Sequence, residues 1–282
     1  MSLIKTLETP AKNTWCPGCG NFGILAALKA AISDLGLDNE EIVVVTGIGC
    51  HGKLSDYINT NSIHVIHGRV IPVAMGVKIA NPRLTVIGHA GDGDAYAIGM
   101  GHLPHAARRN IDIIYIVHNN MVFGLTTGQV TPTSPRGLRT RSTPFGNPEE
   151  PMNPVLLALT SGATFVARGF SGNVRHLTYL MKEAIRHRGF AFIDVLQPCV
   201  TFYNTYKYLR ERTYELETTG HDPSDYDQAL RIALHSSKER VPIGIIYKVR
   251  KPTFLEAIGF DKPLVDYDRS NVSLSRILNT LR

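Results

Sequence analysis

An aspartate framed by glycines, Gly91-Asp92-Gly93-Asp94, is followed 28 positions after Asp92 by the second residue of Asn119-Asn120. Taken singly, each is a common turn. The residues on either side give the pair its meaning. Residues 84–88 and 111–117 are short apolar runs that predict two buried strands. Between them, 95–109 is compatible with a helix interrupted or restarted at Pro104. Strand, helix and strand in that order form a right-handed crossover with the strands parallel. Asp92 then stands just past the carboxyl end of one strand, and Asn120 just past that of the other. A carboxylate, an amide oxygen and nearby backbone carbonyls at one edge of a parallel sheet make a hard-oxygen site. Such a site suits magnesium bridging a phosphate, and the glycines beside Asp92 let backbone approach a diphosphate closely.

The pattern resembles the diphosphate-binding motif of thiamine diphosphate enzymes. The resemblance implies magnesium ligands at Asp92, Asn120 and the backbone carbonyl of Val122. Two ordinary turns on an α/β sheet are the alternative and would explain either half alone; for both together, at this spacing around this crossover, the cofactor reading is ahead.

The chain has four cysteines, Cys16, Cys19, Cys50 and Cys199. Cys16-Pro17-Gly18-Cys19 leads into a predicted helix over 20–35, where backbone amides and the helix dipole stabilise thiolate. Cys50 follows a predicted strand, 42–46, through Gly47-Ile48-Gly49, and Cys199 follows another, 190–196, through Gln197-Pro198. Both therefore fall on the edge that carries Asp92 and Asn120. A disulfide framework lacks the leader and the cysteine density that mark oxidising compartments. A thioredoxin-like pair would use Cys16 and Cys19 and leave two cysteines idle. A four-cysteine metal site uses all of them. Zinc sites usually repeat Cys-x-x-Cys twice over a short span, which this chain does not. Thiolates gathered from distant loops suit an iron–sulfur cluster. Spacing leaves cluster, zinc and buried structural thiols open.

A wider resemblance then appears. Residues 14–20, 47–50, 67–69, 91–94 and 123–129 look like the β subunit of 2-oxoacid:ferredoxin oxidoreductases of the archaeal two-subunit type, in the expected order from about residue 12 to about 205. That resemblance implies a single 4Fe–4S cluster on Cys16, Cys19, Cys50 and Cys199, beside the thiamine. It implies a thiamine site lined by Ile48, Gly49, Cys50, His51, His67, Gly91, Asp92, Gly93, Asp94, Asn120, Gly124 and Leu125. His51 and His67 become candidates for proton transfer or oxoacid binding; holding the diphosphate or local backbone is their alternative role. The implied reaction is CoA-dependent oxidative decarboxylation of a 2-oxoacid to acyl-CoA and carbon dioxide, with electrons passed to ferredoxin. Thiamine chemistry also needs a glutamate against the aminopyrimidine. Ahead of Asp92 only Glu8, Glu40 and Glu41 are present, none in a suggestive context. An α subunit is therefore expected to supply that glutamate and the pyrimidine pocket. Thr127 stands where the family often has Lys, so the preferred oxoacid is left open.

The elements around these motifs predict five strands with intervening helices, a doubly wound parallel α/β sheet of the thiamine diphosphate-binding fold. Helices are also expected over 69–80, 153–161 and 174–187. The stretch 128–153, rich in Pro, Thr, Ser and Arg, reads as a long loop placed to cover the site or meet a partner. Residues 1–200 are expected to form the cofactor-binding domain and 201–282 an extension packed on the core or on a partner. With no apolar run of transmembrane length and no secretory leader, a soluble cytoplasmic protein is expected. The net charge of +6 draws on clusters such as Arg136, Arg139, Arg141 and Lys207, Arg210, Arg212. Most of it reads as solvated surface. Nucleic acid is not favoured, because no aromatic platforms punctuate the basic stretches. A small acidic electron carrier fits better. Two other classes stay in view. A non-redox thiamine-dependent decarboxylase subunit would have no use for four gathered cysteines, and a zinc-stapled binding module would leave the magnesium constellation idle.

Overall fold

The strand β1 (Ile42–Thr46) reads Ile-Val-Val-Val-Thr and is buried along its whole length, as a strand covered on both faces must be. It belongs to a computed structural model that describes residues 7–235, 239–268, 270 and 273–281. The further strands are β2 (Asn61–His64), β3 (Thr85–Gly91), β4 (Ile114–Asn119), β5 (Val122–Phe123), β6 (Gln129–Val130), β7 (Phe165–Phe170), β8 (Ala191–Leu196), β9 (Thr213–Glu215) and β10 (Val241–Lys248). Eight of them form one sheet in the order β2-β1-β3-β4-β8-β7-β10-β9, while β5 and β6 make a separate two-stranded ribbon. All pairings from β2 to β7 are parallel; β10 joins β7 antiparallel and β9 joins β10 parallel.

Both faces of the sheet are covered, as the α/β reading requires. One face packs on the helix Asn21–Leu35 and the helix Val174–Arg186, through residues such as Ile24, Leu28, Leu177 and Leu180. The other packs on Val70–Ala80, Leu103–Arg108, Pro154–Thr160 and Tyr226–His235. The first helix stops at Gly36, whose left-handed φ of 64° lets its amide reach back to the carbonyls of Ile32 and Ser33.

Three strands of the large sheet escaped the sequence reading, each for a local reason, as did the short ribbon strands β5 and β6. β2 is Asn-Ser-Ile-His, exposed throughout on the sheet edge, with no apolar signal. β9 is only three residues long. β10 lies in the segment read as an extension, yet its six central residues are buried as a strand of the same sheet. The helix expected over 95–109 is also different. It divides into a π-turn at Asp94–Ile98, a tight turn at Met100–His102 and an α-helix at Leu103–Arg108 with Pro104 in its first turn. The π-turn closes through Gly99 N–H donating to the Asp94 carbonyl at 3.1 Å. A side chain at Gly99 would sit 2.3 Å from that oxygen, so glycine permits the wide turn. Such turns often mark functional sites.

Strand order decides where a ligand can sit. The chain leaves β1 toward β2 on one side, and leaves β3 toward β4 on the other. The loops after β1 and β3 therefore part, and open a crevice at the carboxyl edge of the sheet.

Three buried histidines make stability depend on pH. Burial lowers His89 to about 3 and His187 to about 4, and holds His118 well below its ordinary 6.5. These folded-state values are depressed, so unfolded chains take up protons first as pH falls below 6.5. Stability is thus full above that pH and declines toward pH 3–4. His89 alone should cost about 2 kcal/mol at pH 5 relative to pH 7.5. Chemical denaturation at the two pH values, with and without His89→Asn, checks this. An equal loss in both proteins would remove His89 as the cause.

Candidate active site: two adjoining cavities

A cavity of about 400 Å³ occupies the crevice. Every residue expected to line a thiamine site is in its wall: Ile48, Gly49, Cys50, His51, His67, Gly91, Asp92, Gly93, Asp94, Asn120, Gly124 and Leu125, together with Val122.

Asp92 is the buried charge at its floor, 1% exposed. Burial pushes its carboxyl up to about 6, while hydroxyls of Thr131 and Thr133 pull the other way by donating to Oδ2 at 2.5 and 2.7 Å. Those threonines come from the long segment after β6, which folds back beneath Asp92. Thr133 Oγ1 also lies 3.0 Å from Asn119 Oδ1, and Asn119 donates to the buried carboxylate of Asp194 at 3.0 Å. The first asparagine of the pair is therefore a strut; the second faces the cavity. Asn120 Oδ1 accepts the Val122 amide at 3.0 Å in a turn that takes Met121 to a left-handed φ of 62°. One carboxylate, one amide oxygen and one carbonyl thus stand on two adjacent loops. This is the donor chemistry that magnesium prefers, so the residues present fit the ion. Gly93 packs directly on the Phe123 ring, since a Cβ there would lie 2.1 Å from Phe123 Cε1.

Asp94 is equally buried and faces both histidines. His67 Nδ1 lies 2.9 Å from Asp94 Oδ1 and His51 Nε2 lies 3.4 Å from Oδ2, while the Gly68 amide donates to Oδ1. Behind His51, His118 completes the wall. Its Nδ1 contacts Asn21 Oδ1 at 2.8 Å and its Nε2 contacts His89 Nδ1 at 2.9 Å.

The four cysteines gather around a second cavity of about 290 Å³. Cys50, Asn120, Gly124, Leu125 and Gln197 line both cavities, so the two share a wall. A Cβ on Gly124 would lie 3.6 Å from Cys50 Sγ and 3.8 Å from Cys199 Sγ, so glycine leaves the space between the sulfurs clear. The helix N-terminus after Cys19 does not produce a ready thiolate. Burial pushes the Cys19 thiol up to about 11, against the Asn21 amide that lowers it, and the other three cysteines raise it further. Burial also raises Cys50, opposed by Lys53. Crowded, desolvated thiols of this kind ionise when a cationic centre takes their protons' place. Cys16 is exposed, whereas the other three are half-buried.

Sequence reading missed His118, Phe123, Thr126, Gln129 and Gln197 in the first cavity's wall. Gln197 carried a signal in its place between a strand end and Cys199; Thr131 and Thr133 carried none, because only the fold brings them under Asp92. No glutamate lines the cavity among the described residues. Glu8 pairs with Lys29 at 3.0 Å, and Glu40 and Glu41 lie in the turn before β1, at the opposite sheet edge.

Thr127 lines the cysteine cavity and holds a left-handed φ of 79° in the turn between β5 and β6. A β-branched residue is strained there. Thr127→Gly should therefore stabilise the protein by about 1 kcal/mol in chemical denaturation, net of the entropy glycine adds to the unfolded chain. A loss of stability would show that the threonine side chain makes a compensating contact.

Comparison with known proteins agrees with this geometry. Residues 47–195 match the family described as thiamine pyrophosphate enzyme, C-terminal TPP binding domain. Residues 199–262 match the family of the C-terminal part of the pyruvate ferredoxin oxidoreductase beta subunit. The chain is 45% identical over 274 residues to a 2-oxoacid:ferredoxin oxidoreductase subunit beta from Sulfolobus sp, covering 92% of this chain and 90% of that one. It is 48% identical to the corresponding subunit of Saccharolobus solfataricus, over 84% and 82% of the two chains. A solved structure, 2-oxoglutarate:ferredoxin oxidoreductase from Magnetococcus marinus with 2-oxoglutarate, coenzyme A and succinyl-CoA bound, superposes with a TM-score of 0.89. That match has 36% identity over 99% of this chain and 96% of that chain. The chain therefore belongs to the family of 2-oxoacid:ferredoxin oxidoreductase β subunits.

Proposed function

We propose that the two cavities hold, side by side, magnesium–thiamine diphosphate and one 4Fe–4S cluster. On this reading the chain serves CoA-dependent oxidative decarboxylation of a 2-oxoacid, and its electrons leave to ferredoxin. The observation that carries the proposal is the shared wall formed by Cys50, Asn120, Gly124, Leu125 and Gln197. When bound, thiamine diphosphate supplies the electron sink for decarboxylation and the cluster supplies one-electron transfer.

This chain's residues have distinct tasks. Asp92, Asn120 and the Val122 carbonyl hold the metal, with Thr131 and Thr133 keeping the carboxylate in place. Asp94 faces both histidines, with His67 Nδ1 2.9 Å from Oδ1 and His51 Nε2 3.4 Å from Oδ2, and so holds the two rings at the cavity wall. His67, its side chain one-third exposed at the cavity, is placed to take a substrate proton or bind the oxoacid. Cys16, Cys19, Cys50 and Cys199 hold the cluster, and the exposed Cys16 marks the side from which electrons leave. The missing glutamate and pyrimidine pocket come from the α subunit that a β subunit implies.

A zinc staple would leave Asp92, Asn120 and the Val122 carbonyl without a task. Among the described residues, no helix is long and apolar enough to cross a membrane.

Iron analysis with low-temperature EPR on anaerobically purified protein, before and after dithionite, tests the reading. About four irons per chain and a signal that appears on reduction are expected. Zinc in place of iron, or no metal after reconstitution, would overturn it.

A further inference from the structure

Gln197 follows β8, is 1% exposed, and lines both cavities. Both of its amide hydrogens and its carbonyl oxygen are engaged. Nε2 donates to the Pro198 carbonyl at 2.9 Å and to Cys19 Sγ at 3.6 Å, and Oε1 accepts from Asn120 Nδ2 at 3.1 Å. The Pro198 carbonyl can only accept, so it fixes which end of the Gln197 amide is nitrogen. That choice turns Oε1 toward Asn120, which in turn fixes the Asn120 amide: nitrogen toward Gln197, oxygen toward the Val122 amide at 3.0 Å and the cavity. The packing is tight as well, since a Cβ on Gly20 would lie 2.8 Å from Gln197 Cγ.

We infer that Gln197 is a positioning residue shared by the two centres: its N–H group tunes the cluster through Cys19, and its carbonyl orients Asn120 for magnesium. The inference rests on the proposed function. Donors to cluster sulfur stabilise the reduced, more negative state and so raise the potential. Partners that orient a ligating side chain hold metal affinity at the level of 10–100-fold.

Two substitutions separate the roles. In Gln197→Glu, an ionised carboxyl has no proton to donate, and a neutral one has a single proton that the Pro198 carbonyl takes. Either way Cys19 loses its donor, while an oxygen still accepts from Asn120. Gln197→Leu loses donor and acceptor together. In the complex with the α subunit, purified anaerobically, an EPR-monitored redox titration reads the cluster and calorimetry reads magnesium–thiamine diphosphate affinity. Both variants should move the reduction equilibrium about tenfold toward the oxidised state, equivalent to about 59 mV. Leucine carries no charge, so a shift common to both belongs to the lost donor and not to a new carboxylate. Only Gln197→Leu should also weaken cofactor binding, by about 10–100-fold. Thr201→Val removes a hydroxyl that donates to Cys16 Sγ at 3.3 Å, and should shift the potential without touching affinity. An unchanged potential in Gln197→Glu, or unchanged affinity in Gln197→Leu, overturns the inference. If the leucine variant fails to take up a cluster, the potential of the glutamate variant decides alone. A wild type without a cluster overturns the functional reading and this inference with it; a cluster indifferent to Gln197 overturns this inference only.

Discussion

Asp92→Asn should abolish magnesium-dependent thiamine diphosphate binding and, at the same time, raise the stability of the cofactor-free protein. The two effects have one cause. Asp92 is 1% exposed, and burial carries its carboxyl up to about 6. The folded-state value lies above the ordinary 3.8, so the folded protein holds this proton more tightly than the unfolded chain does. The contribution of Asp92 to stability is therefore most favourable below pH 3.8 and is lost as pH rises to about 6, opposite in sign to that of the buried histidines. At pH 7 the ionised carboxylate costs the fold about 3 kcal/mol. Asparagine removes that charge and still offers an oxygen to the hydroxyls of Thr131 and Thr133. It also removes the only carboxylate among the proposed magnesium ligands, so affinity should drop by more than about a hundredfold. Calorimetric melting with and without magnesium and thiamine diphosphate separates the effects. The variant should melt higher than wild type at pH 7, less so at pH 5, and show no cofactor-induced shift. A variant that still shows the full shift would take Asp92 out of the metal site.

Cys50→Ser should empty the second cavity of iron and stop electron delivery to ferredoxin. Cys50 stands in the wall shared by both cavities, and the Trp15 indole donates to its carbonyl at 2.6 Å, which fixes the backbone there. A serine hydroxyl keeps the volume but neither ionises readily nor provides the soft donor that iron–sulfur clusters require. Iron should fall from about four per chain to near zero, with loss of the reduced-state signal. Cys16→Ser removes the exposed ligand and should leave part of the cluster in place. Carbon dioxide release measured beside ferredoxin reduction adds a sharper comparison. A non-redox decarboxylase would keep its carbon dioxide release in Cys50→Ser, whereas an enzyme that must pass electrons through this wall slows in both. Retained iron at wild-type stoichiometry would remove Cys50 from the ligand set.

Both experiments probe chemistry that is legible in the primary sequence. The family resemblance, the doubly wound α/β sheet and most of the lining of the first cavity are all readable there, because each motif sits beside its own strand end. An apolar run such as 42–46 announces a buried strand, and whatever follows it in a parallel sheet stands on the carboxyl edge. That local rule places Ile48–His51, Asp92–Asp94, Asn120 and Cys199 at one edge. The reading fails where the signal is not local. β2 is polar, β10 joins the sheet from a segment with little periodicity, and the π-turn after Asp94 depends on a backbone bond to Gly99.

The sequence by itself therefore determined the chemical types and the edge they share. Tertiary structure decided what those groups experience. Only long-range packing brings Thr131 and Thr133 beneath Asp92, sets Asn119 as a strut and Asn120 as a cavity wall, and runs Gln197 between Asn120 and Cys19. The thiols show the same division: a helix N-terminus predicts an acidic Cys19, but desolvation raises it to about 11. Burial and orientation depend on which distant residues close over a group, and neither can be read from neighbours along the chain. Residue types and their order along the chain are local, and the sequence carries them outright.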